Sequence, residues 1–213
     1  MSESQINHII AAEWDMFQHV QNEGGRASCQ DDYDTFAIMR KSQFLVWSEK
    51  ALDSYLQDLT EANGSGRNLL TEKYGYMMEH TAPEEYERIR GLLPDIPEEK
   101  AALVHGLVEK QVLWREDFNR RFPDYGRLGR PLRKEDAAFG DTSIETYAMG
   151  ELKTYSERTL KLLAAQYRRL EDQGVNPAAV IMDATARQYG YRDSADAQEK
   201  LGRADSTDGT VRQ

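Results

Sequence analysis

The sequence contains a single cysteine, Cys29, in 213 residues. An internal disulfide is therefore impossible, which is typical of proteins that work in the reducing cytosol. The sequence also lacks an apolar run close to the roughly 20 residues that cross a bilayer. Its first residues lack the charged and apolar regions of a signal peptide. We therefore expect a cytoplasmic protein that does not enter a membrane.

Basic residues are outnumbered by acidic ones, and the formal net charge is −10. This excess of acidic residues argues against nucleic acid or an anionic membrane as the main partner. The sequence has no Walker loop, dinucleotide fingerprint or zinc-finger spacing, and its four histidines form no Glu-x-x-His pair of the di-iron bundle type. We expect a small-molecule ligand, no nucleic acid and no resident cofactor, and the sequence indicates no oligomeric state.

Strand patterns are also missing, because no stretch alternates convincingly between polar and apolar residues. Apolar residues instead recur at three- and four-residue steps, which predicts helices over 4–21, 32–62, 68–79, 83–92, 97–120, 143–172, 177–189 and 194–201. We predict an all-α, single-domain bundle of seven or eight helices over residues 1–201, with the helices at 32–62 and 143–172 packed centrally. We predict a functional or mobile loop over 121–141 and a disordered tail over 202–213.

Two carboxylates occupy positions that the helical pattern predicts to be buried. Glu13 lies in the middle of an apolar face of the first predicted helix, and Glu151 shares a face with Tyr147 and Tyr155. A buried carboxylate is costly unless it is paired, protonated or bound. One interpretation is a structural ion pair, for which Arg40 is the first choice of partner. The other is general acid–base chemistry by carboxyls whose pKa values are raised by burial.

Arg40 and Gln43 interrupt an aromatic stripe formed by Phe36 and Trp47 on the helix predicted over 32–62. An arginine in this position can lay its stem on the rings and keep its head in water. It can also point inward and bind a carboxylate or a phosphate with two hydrogen bonds. The spacing is compatible with either interpretation.

The segment 22–31 joins the first two predicted helices, and its paired glycines allow a close turn. Side chains able to bind or react follow them: Arg26, Ser28, Cys29 and Gln30. Beside an arginine and near a helix N-terminus, Cys29 would have a lowered pKa and would act as a nucleophile or proton donor. The alternative is a small, buried and inert cysteine at the junction of loop and helix.

Several short runs resemble a bacterial family known as domain of unknown function 4125. They are Gly24-Gly25-Arg26-Ala27-Ser28-Cys29-Gln30, Gly66-Arg67-Asn68-Leu69, Glu72-Lys73-Tyr74, Thr142-Ser143-Ile144-Glu145-Thr146-Tyr147 and Gly150-Glu151-Leu152-Lys153-Thr154-Tyr155-Ser156. The resemblance covers most of residues 10–190 and implies no particular activity. Some members of the family look fused to a nucleotidyltransferase-like domain, which implies a link to a nucleotide pathway.

We expect the residues singled out above to meet in one interhelical pocket. The candidate catalytic residues are Cys29, Glu13 and Glu151. The candidate substrate-binding residues are Arg26, Ser28, Gln30, Arg40, Gln43, Arg67, Glu72 and Tyr147. Arginines, carboxylates and a thiol together suit a small polar ligand, such as an amino acid or a carboxylated metabolite, and an enzyme that acts on it.

Two other functions are compatible with the same residues. Glutamates could bind a hard metal ion, magnesium or manganese, through oxygen ligands in a helical bundle. The candidate ligands are Glu13, Glu72, Glu145 and Glu151. The protein could also be a non-catalytic interaction subunit of a nucleotide-linked pathway, in which the inward polar residues set the register of the helices.

Overall fold

The computed structural model of the protein describes residues 3–21 and 25–208, with side chains as far as Arg203. Within these ranges the fold is all-α, as predicted, and contains eleven α-helices and no strand. They are α1 (Glu3–Gln18), α2 (Tyr33–Phe44), α3 (Glu49–Gly64), α4 (Leu69–Thr81), α5 (Pro83–Ile89), α6 (Glu98–Arg121), α7 (Pro123–Gly126), α8 (Ile144–Thr154), α9 (Glu157–Asp172), α10 (Pro177–Gln188) and α11 (Ser194–Asp208). None of the helices described has the length and apolar character to cross a membrane.

The predicted number of seven or eight helices is wrong, because each of the two long central helices is divided in two. The first is interrupted between α2 and α3, where Ser48 accepts a hydrogen bond from the backbone N–H of Ala51 at 3.3 Å. The second is interrupted between α8 and α9, where Ser156 accepts one from the N–H of Thr159 at 3.2 Å. Both serines cap a new helix N-terminus. The short α7 lies in the segment predicted as a loop.

The two interruptions meet in a shared aromatic cluster. Trp47, from the first break, packs edge-on against Tyr155, from the second, with ring centroids 5.7 Å apart. The ring centroid of Tyr55 lies 4.5 Å from that of Tyr155 and 5.7 Å from that of Trp47. The rings of all three residues are almost completely buried. Burial of large aromatic surface therefore stabilises the divided helices.

Close packing of α4 against α8 depends on a glycine. A Cβ atom at Gly150 would lie 2.5 Å from Cγ of Met77 and 2.7 Å from the carbonyl oxygen of Lys73. No real Cβ contact is this short, so only glycine lets the two helix backbones approach this closely. This approach brings Lys73 on α4 beside Glu151 on α8.

Buried apolar residues form two clusters of unequal size. The larger joins α1, α2, α3, α4, α6, α8 and α9. The smaller, which we call the C-terminal cluster, contains Phe118, Tyr125, Met182, Ala186 and Ala197. The C-terminal cluster packs the end of α6 and α7 against α10 and α11. α10 thus contributes to the smaller cluster through Met182 and Ala186, and its Ile181 packs against the larger one.

The C-terminal helix is longer than the sequence predicts. We expected a disordered tail from Gly202, but α11 continues to Asp208. The rest of that predicted tail, 209–213, lies outside the described residues, as does 22–24, which includes the first glycine of the predicted turn. The second glycine, Gly25, has φ of 84°, in the left-handed region that favours glycine.

Candidate functional site

Four charged side chains meet in the interior, and we call them the charge cluster: Glu13 of α1, Arg40 of α2, Lys73 of α4 and Glu151 of α8. Their exposed fractions are 1%, 6%, 3% and 4%, respectively. Two cations and two carboxylates are therefore buried together, with equal numbers of positive and negative charges. The prediction that Glu13 and Glu151 are buried is confirmed.

Arg40 joins both carboxylates, as expected. Its Nε donates to Oε2 of Glu13 at 2.7 Å, and its Nη2 donates to Oε1 of the same residue. Its Nη1 donates to the two carboxylate oxygens of Glu151 at 2.9 and 3.1 Å. Nζ of Lys73 donates to Oε2 of Glu151 at 2.6 Å. The inward interpretation of Arg40 is therefore confirmed, and its binding partners are protein carboxylates.

Neutral side chains complete the hydrogen bonds of the cluster. Tyr55 donates to Oε1 of Glu13 and Tyr155 to Oε1 of Glu151, each at 2.7 Å. Gln43 donates to the latter oxygen at 2.9 Å and accepts from Nη1 of Arg40 at 2.8 Å. In the part of the chain that the structure describes, no buried side-chain nitrogen or oxygen lacks a partner. Such a saturated network is typical of a stable interior.

The electrostatics of Glu151 are opposite to our expectation of a raised pKa. Its burial opposes ionisation, but the charges of Arg40 and Lys73 outweigh burial and hold the pKa of this carboxyl well below its usual range. Burial likewise opposes charge on Arg40 and Lys73, whereas their carboxylate partners raise the pKa of both groups. All three groups are fixed charges near neutral pH, and Glu151 is poorly suited to proton transfer.

A cavity of about 850 Å³ adjoins the charge cluster. Its wall is mainly apolar and aromatic and comes from α2, α4, α6, α8, α10 and the segment 128–130. Arg40, Lys73 and Glu151 lie in this wall, together with Gln43, whereas Glu13 lies behind it. The segment predicted as a functional loop thus contributes directly to the cavity.

Cys29 is exposed and lines the same cavity. The alternative of a buried structural cysteine is therefore wrong, whereas its role as nucleophile stays a prediction. Cys29 lies in a 3₁₀ turn, Ser28–Asp31, and not at the start of a long helix. The N-terminus of α2 is capped by Asp32, which accepts from the N–H of Thr35 at 3.0 Å. The expected position of Cys29 near the N-terminus of one long helix over 32–62 is therefore wrong in part, because the 3₁₀ turn and the cap residue Asp32 separate it from α2.

The residues next to Cys29 in sequence do not line the cavity and instead make contacts within the protein. Nε of Arg26 donates to Asp31 at 2.8 Å, and its Nη2 donates to the carbonyl oxygen of Gln30 at 2.7 Å. The amide of Gln30 is buried and donates to the carbonyl oxygen of Phe17 at 2.8 Å. Ser28 is exposed. These contacts fasten the loop to the end of α1, so the expected convergence of all three residues on the pocket is wrong.

Arg67 and Glu72 are paired away from the cavity. Nε and Nη2 of Arg67 donate to the two carboxylate oxygens of Glu72, each at 2.7 Å. This bidentate pair links the residues before α4 to its first turn. Neither residue lines the cavity, so the structure does not bring them together with the other candidate residues there.

Tyr147 lies where we expected it, on the cavity wall with charged neighbours. Nζ of Lys73 lies 3.5 Å from the centroid of its ring, and the guanidinium carbon of Arg130 lies 5.6 Å from it. Close by, burial and neighbouring phenols raise the pKa of Tyr74 to about 12. Tyr74 is thus a neutral phenol near physiological pH. Lys73 and Arg130 are attracted to the negative face of the Tyr147 ring.

Residues that reasoning from the sequence missed are Lys73, Tyr55 and Arg115. Lys73 follows Leu69 by four residues on the buried face of α4, and that spacing could have identified it. Arg115 follows Val112 by three residues on the buried face of α6. It lines the cavity, and burial lowers the pKa of its guanidinium. A charged residue at apolar spacing is the signal common to both cations.

The glutamates of the metal hypothesis are not assembled as a ligand set. Glu13 and Glu151 bind Arg40, Glu72 binds Arg67, and Glu145 accepts from the backbone N–H of Lys134 at 3.0 Å. Across the described residues, no group of three or more histidine, cysteine, aspartate or glutamate side chains is placed to hold a metal ion. The geometry therefore offers no support for that hypothesis.

A family model described as "Protein of unknown function (DUF4125)" matches residues 3–199. The match covers most of the sequence, so the chain belongs to this family, and the resemblance predicted from its motifs is confirmed. No curated protein and no solved structure matches the chain.

Proposed function

We propose that this member of the DUF4125 family binds a small organic acid, a carboxylated metabolite with an apolar or aromatic body, in the cavity beside the charge cluster. The observation that carries the proposal is the composition of the cavity wall. Concave sites of this size, largely apolar with a few convergent polar groups, are the usual form of a small-molecule site.

The charge of the wall favours an anion. Four cationic side chains lie in it, Arg40, Lys73, Arg115 and Arg130, against two acidic ones, Asp32 and Glu151. Asp32 is already engaged as a helix cap, and Glu151 binds two cations of the charge cluster. Arg40 and Lys73 are in turn neutralised by Glu13 and Glu151, so Arg115 and Arg130 against Asp32 leave one positive charge in excess at the cavity of a protein whose net charge is −10. Such local charge attracts ligands of opposite sign.

An amino acid, which the sequence also suggested, fits less well. Its ammonium group would need an available carboxylate, and both acids of the wall are occupied by protein partners. An organic acid with an apolar body instead needs only a cation outside the charge cluster and the aromatic lining. Binding is better supported than acid–base catalysis, because the charges on Glu151 and Lys73 are fixed and Tyr74 stays neutral.

The proposal can be tested with the fluorescent anion anilinonaphthalene sulfonate (ANS), which brightens in apolar sites. We expect saturable binding that raises the melting temperature, because a ligand that binds only the folded state stabilises it. Ala178→Trp, on the part of α10 that lines the cavity, should weaken binding by about tenfold or more by filling the space. Ala102→Trp, on the exposed face of α6, is the matched control and should leave ANS affinity unchanged.

Two results would contradict the proposal. One is the absence of saturable binding to the wild-type protein. The other is equal ANS affinity in wild type and Ala178→Trp, which would place the dye on another surface.

A further inference from the structure

Arg115, a partly buried cation of the wall, differs from the buried Arg40 and Lys73 in having no acidic partner. Its Nε donates to Oδ1 of Asn119 at 3.0 Å, and its Nη1 lies 2.9 Å from Sδ of Met182. Among the side chains described, residues 3–21 and 25–203, no carboxylate forms an ion pair with it. Arg40 and Lys73, by contrast, are fully used by Glu13 and Glu151.

A cation that loses part of its hydration without a counter-ion is destabilising, and partial burial lowers the pKa of Arg115 as expected for such a group. The cost is avoided when a bound anion supplies the missing charge. The wall around Arg115 is apolar and aromatic, with Tyr125 and Met182 close by. An anion that binds there would be held in a medium of low dielectric, where charge pairing is strong.

The guanidinium is also held in place before any ligand binds. Asn119 fixes its Nε, and its central carbon lies 5.7 Å from the centroid of Phe118. A Cβ atom at Gly129 would lie 2.7 Å from Nη2, so the absence of a side chain there leaves room for the guanidinium. A guanidinium that is already oriented loses little conformational entropy when it binds a planar carboxylate with two hydrogen bonds.

We propose that Arg115 binds the acidic group of the ligand, and that the ligand is a monocarboxylate whose apolar body extends along the cavity toward α10. This inference rests on the proposed function and adds the residue that binds the acidic group of the ligand. Arg130, which also lies in the wall, is exposed over the ring of Tyr147.

The test compares ANS with phenylnaphthylamine (NPN), an uncharged dye that has nearly the same aromatic body. We expect Arg115→Met to weaken ANS binding by about tenfold or more, since a buried charge pair is lost, and to change NPN affinity by less than about twofold. Arg121→Met is the matched control, because Arg121 lies on the exposed side of the same helix. It should alter neither affinity.

Stability separates a binding role from a structural one. If Arg115 binds the anion, Arg115→Met in the ligand-free protein should leave the melting temperature unchanged or raise it, because a partly buried charge without an acidic partner is removed. A lower melting temperature together with equal losses of ANS and NPN affinity would overturn the inference and identify Arg115 as a packing residue.

Gly129→Ala provides a second variant that retains every charge. Its methyl group should displace the guanidinium and weaken ANS selectively, whereas NPN affinity should be maintained. Ala178→Trp could weaken both dyes equally while neither Arg115→Met nor Gly129→Ala changes either affinity. That outcome would refute the inference and leave the proposed function intact. Failure of both dyes to bind the wild type would refute both.

Discussion

At the scale of single residues, the charge cluster is an assembly of fixed charges in which every carboxylate oxygen has a donor. Arg40 is its centre, because one guanidinium binds Glu13 through Nε and Nη2 and Glu151 through Nη1. Removing a member would leave an uncompensated charge in the interior, which is far more costly than the loss of a surface pair.

We expect Arg40→Lys to reduce the free energy of unfolding by about 3 kcal/mol or more, because an ammonium group cannot bind two carboxylates in fork geometry. Urea unfolding followed by circular dichroism measures the change. Arg120→Lys, in the exposed pair with Asp117, is the control and should change stability by less than about 0.5 kcal/mol. A loss no greater than that of the control would mean that Arg40 is replaceable.

The lowered pKa of Glu151 predicts a pH dependence of stability. A carboxyl whose pKa is lower in the folded state contributes stability above its unfolded pKa, near its ordinary value of 4.5, and loses it as the pH falls below that value. The deficit of Glu151→Gln relative to wild type should therefore be largest at neutral pH and should shrink below about pH 4.5. Urea unfolding from pH 3 to 7 would test this, with the exposed Glu116→Gln as control. A deficit independent of pH would contradict it.

Exposure of Cys29 on the cavity wall predicts that its thiol reacts in the folded protein. Iodoacetamide should alkylate it fully without denaturant, and bound ANS should slow the reaction. Cys29→Ser should change stability by less than about 0.5 kcal/mol, as surface substitutions usually do. Mass spectrometry and thermal unfolding give the two measurements. A thiol that reacts only after unfolding would contradict its position, and unaltered activity of Cys29→Ser on an identified substrate would exclude catalysis by this residue.

At the scale of helices, two features place the cluster and the cavity. The serine-capped breaks at Ser48 and Ser156 turn Tyr55 and Tyr155 toward the carboxylates that they contact. The close crossing of α4 and α8 at Gly150 brings Lys73 within reach of Glu151. A helix that continued through either break would carry these phenols elsewhere.

Gly150→Ala should destabilise the protein by about 1–3 kcal/mol, because its methyl group meets the backbone of α4 and not only a flexible side chain. Gly106→Ala is the matched control. Its Cβ would meet no atom within 4 Å, so better helix propensity should stabilise α6 by about 0.5–1 kcal/mol. Chemical denaturation measures both. Stabilisation by both substitutions would show that the crossing tolerates a side chain.

At the scale of the whole molecule, the cavity lies where the larger apolar cluster and the C-terminal cluster fail to merge. α10 contributes Ala178, Ile181 and Met182 to the cavity wall, where Ile181 packs against the larger cluster and Met182 belongs to the C-terminal cluster. A ligand in the cavity would therefore contact the face of α10 that joins the two clusters and would stabilise this helix against opening.

We therefore expect bound ANS to slow amide hydrogen exchange in α10 by about tenfold or more, because ligand binding suppresses opening of the region that contacts it. The helix α3 contributes no residue to the cavity wall and serves as an internal control. Hydrogen-exchange mass spectrometry with and without ANS gives the comparison. Equal protection of both helices would indicate global stabilisation, and the absence of protection in α10 would contradict its role as a cavity wall.

The sequence by itself determined the fold class and the centre of the charge cluster. Helical periodicity placed Glu13 and Glu151 on apolar faces, and the high cost of an unpaired buried charge required a partner such as Arg40. These conclusions depend only on the face of a helix that an individual residue occupies. Local spacing specifies that face, since side chains three or four residues apart lie together.

Only the tertiary structure decided which faces meet. Glu13 and Glu151 reach Arg40 across 27 and 111 residues of sequence, and no local pattern specifies contacts at such separations. The same limit explains why Arg67 and Glu72 were misplaced and why the position of Arg115 on a cavity wall was not foreseen. The cavity is the space that packing leaves unfilled, so it exists only after the divided helices and the glycine crossing have set the positions of their neighbours.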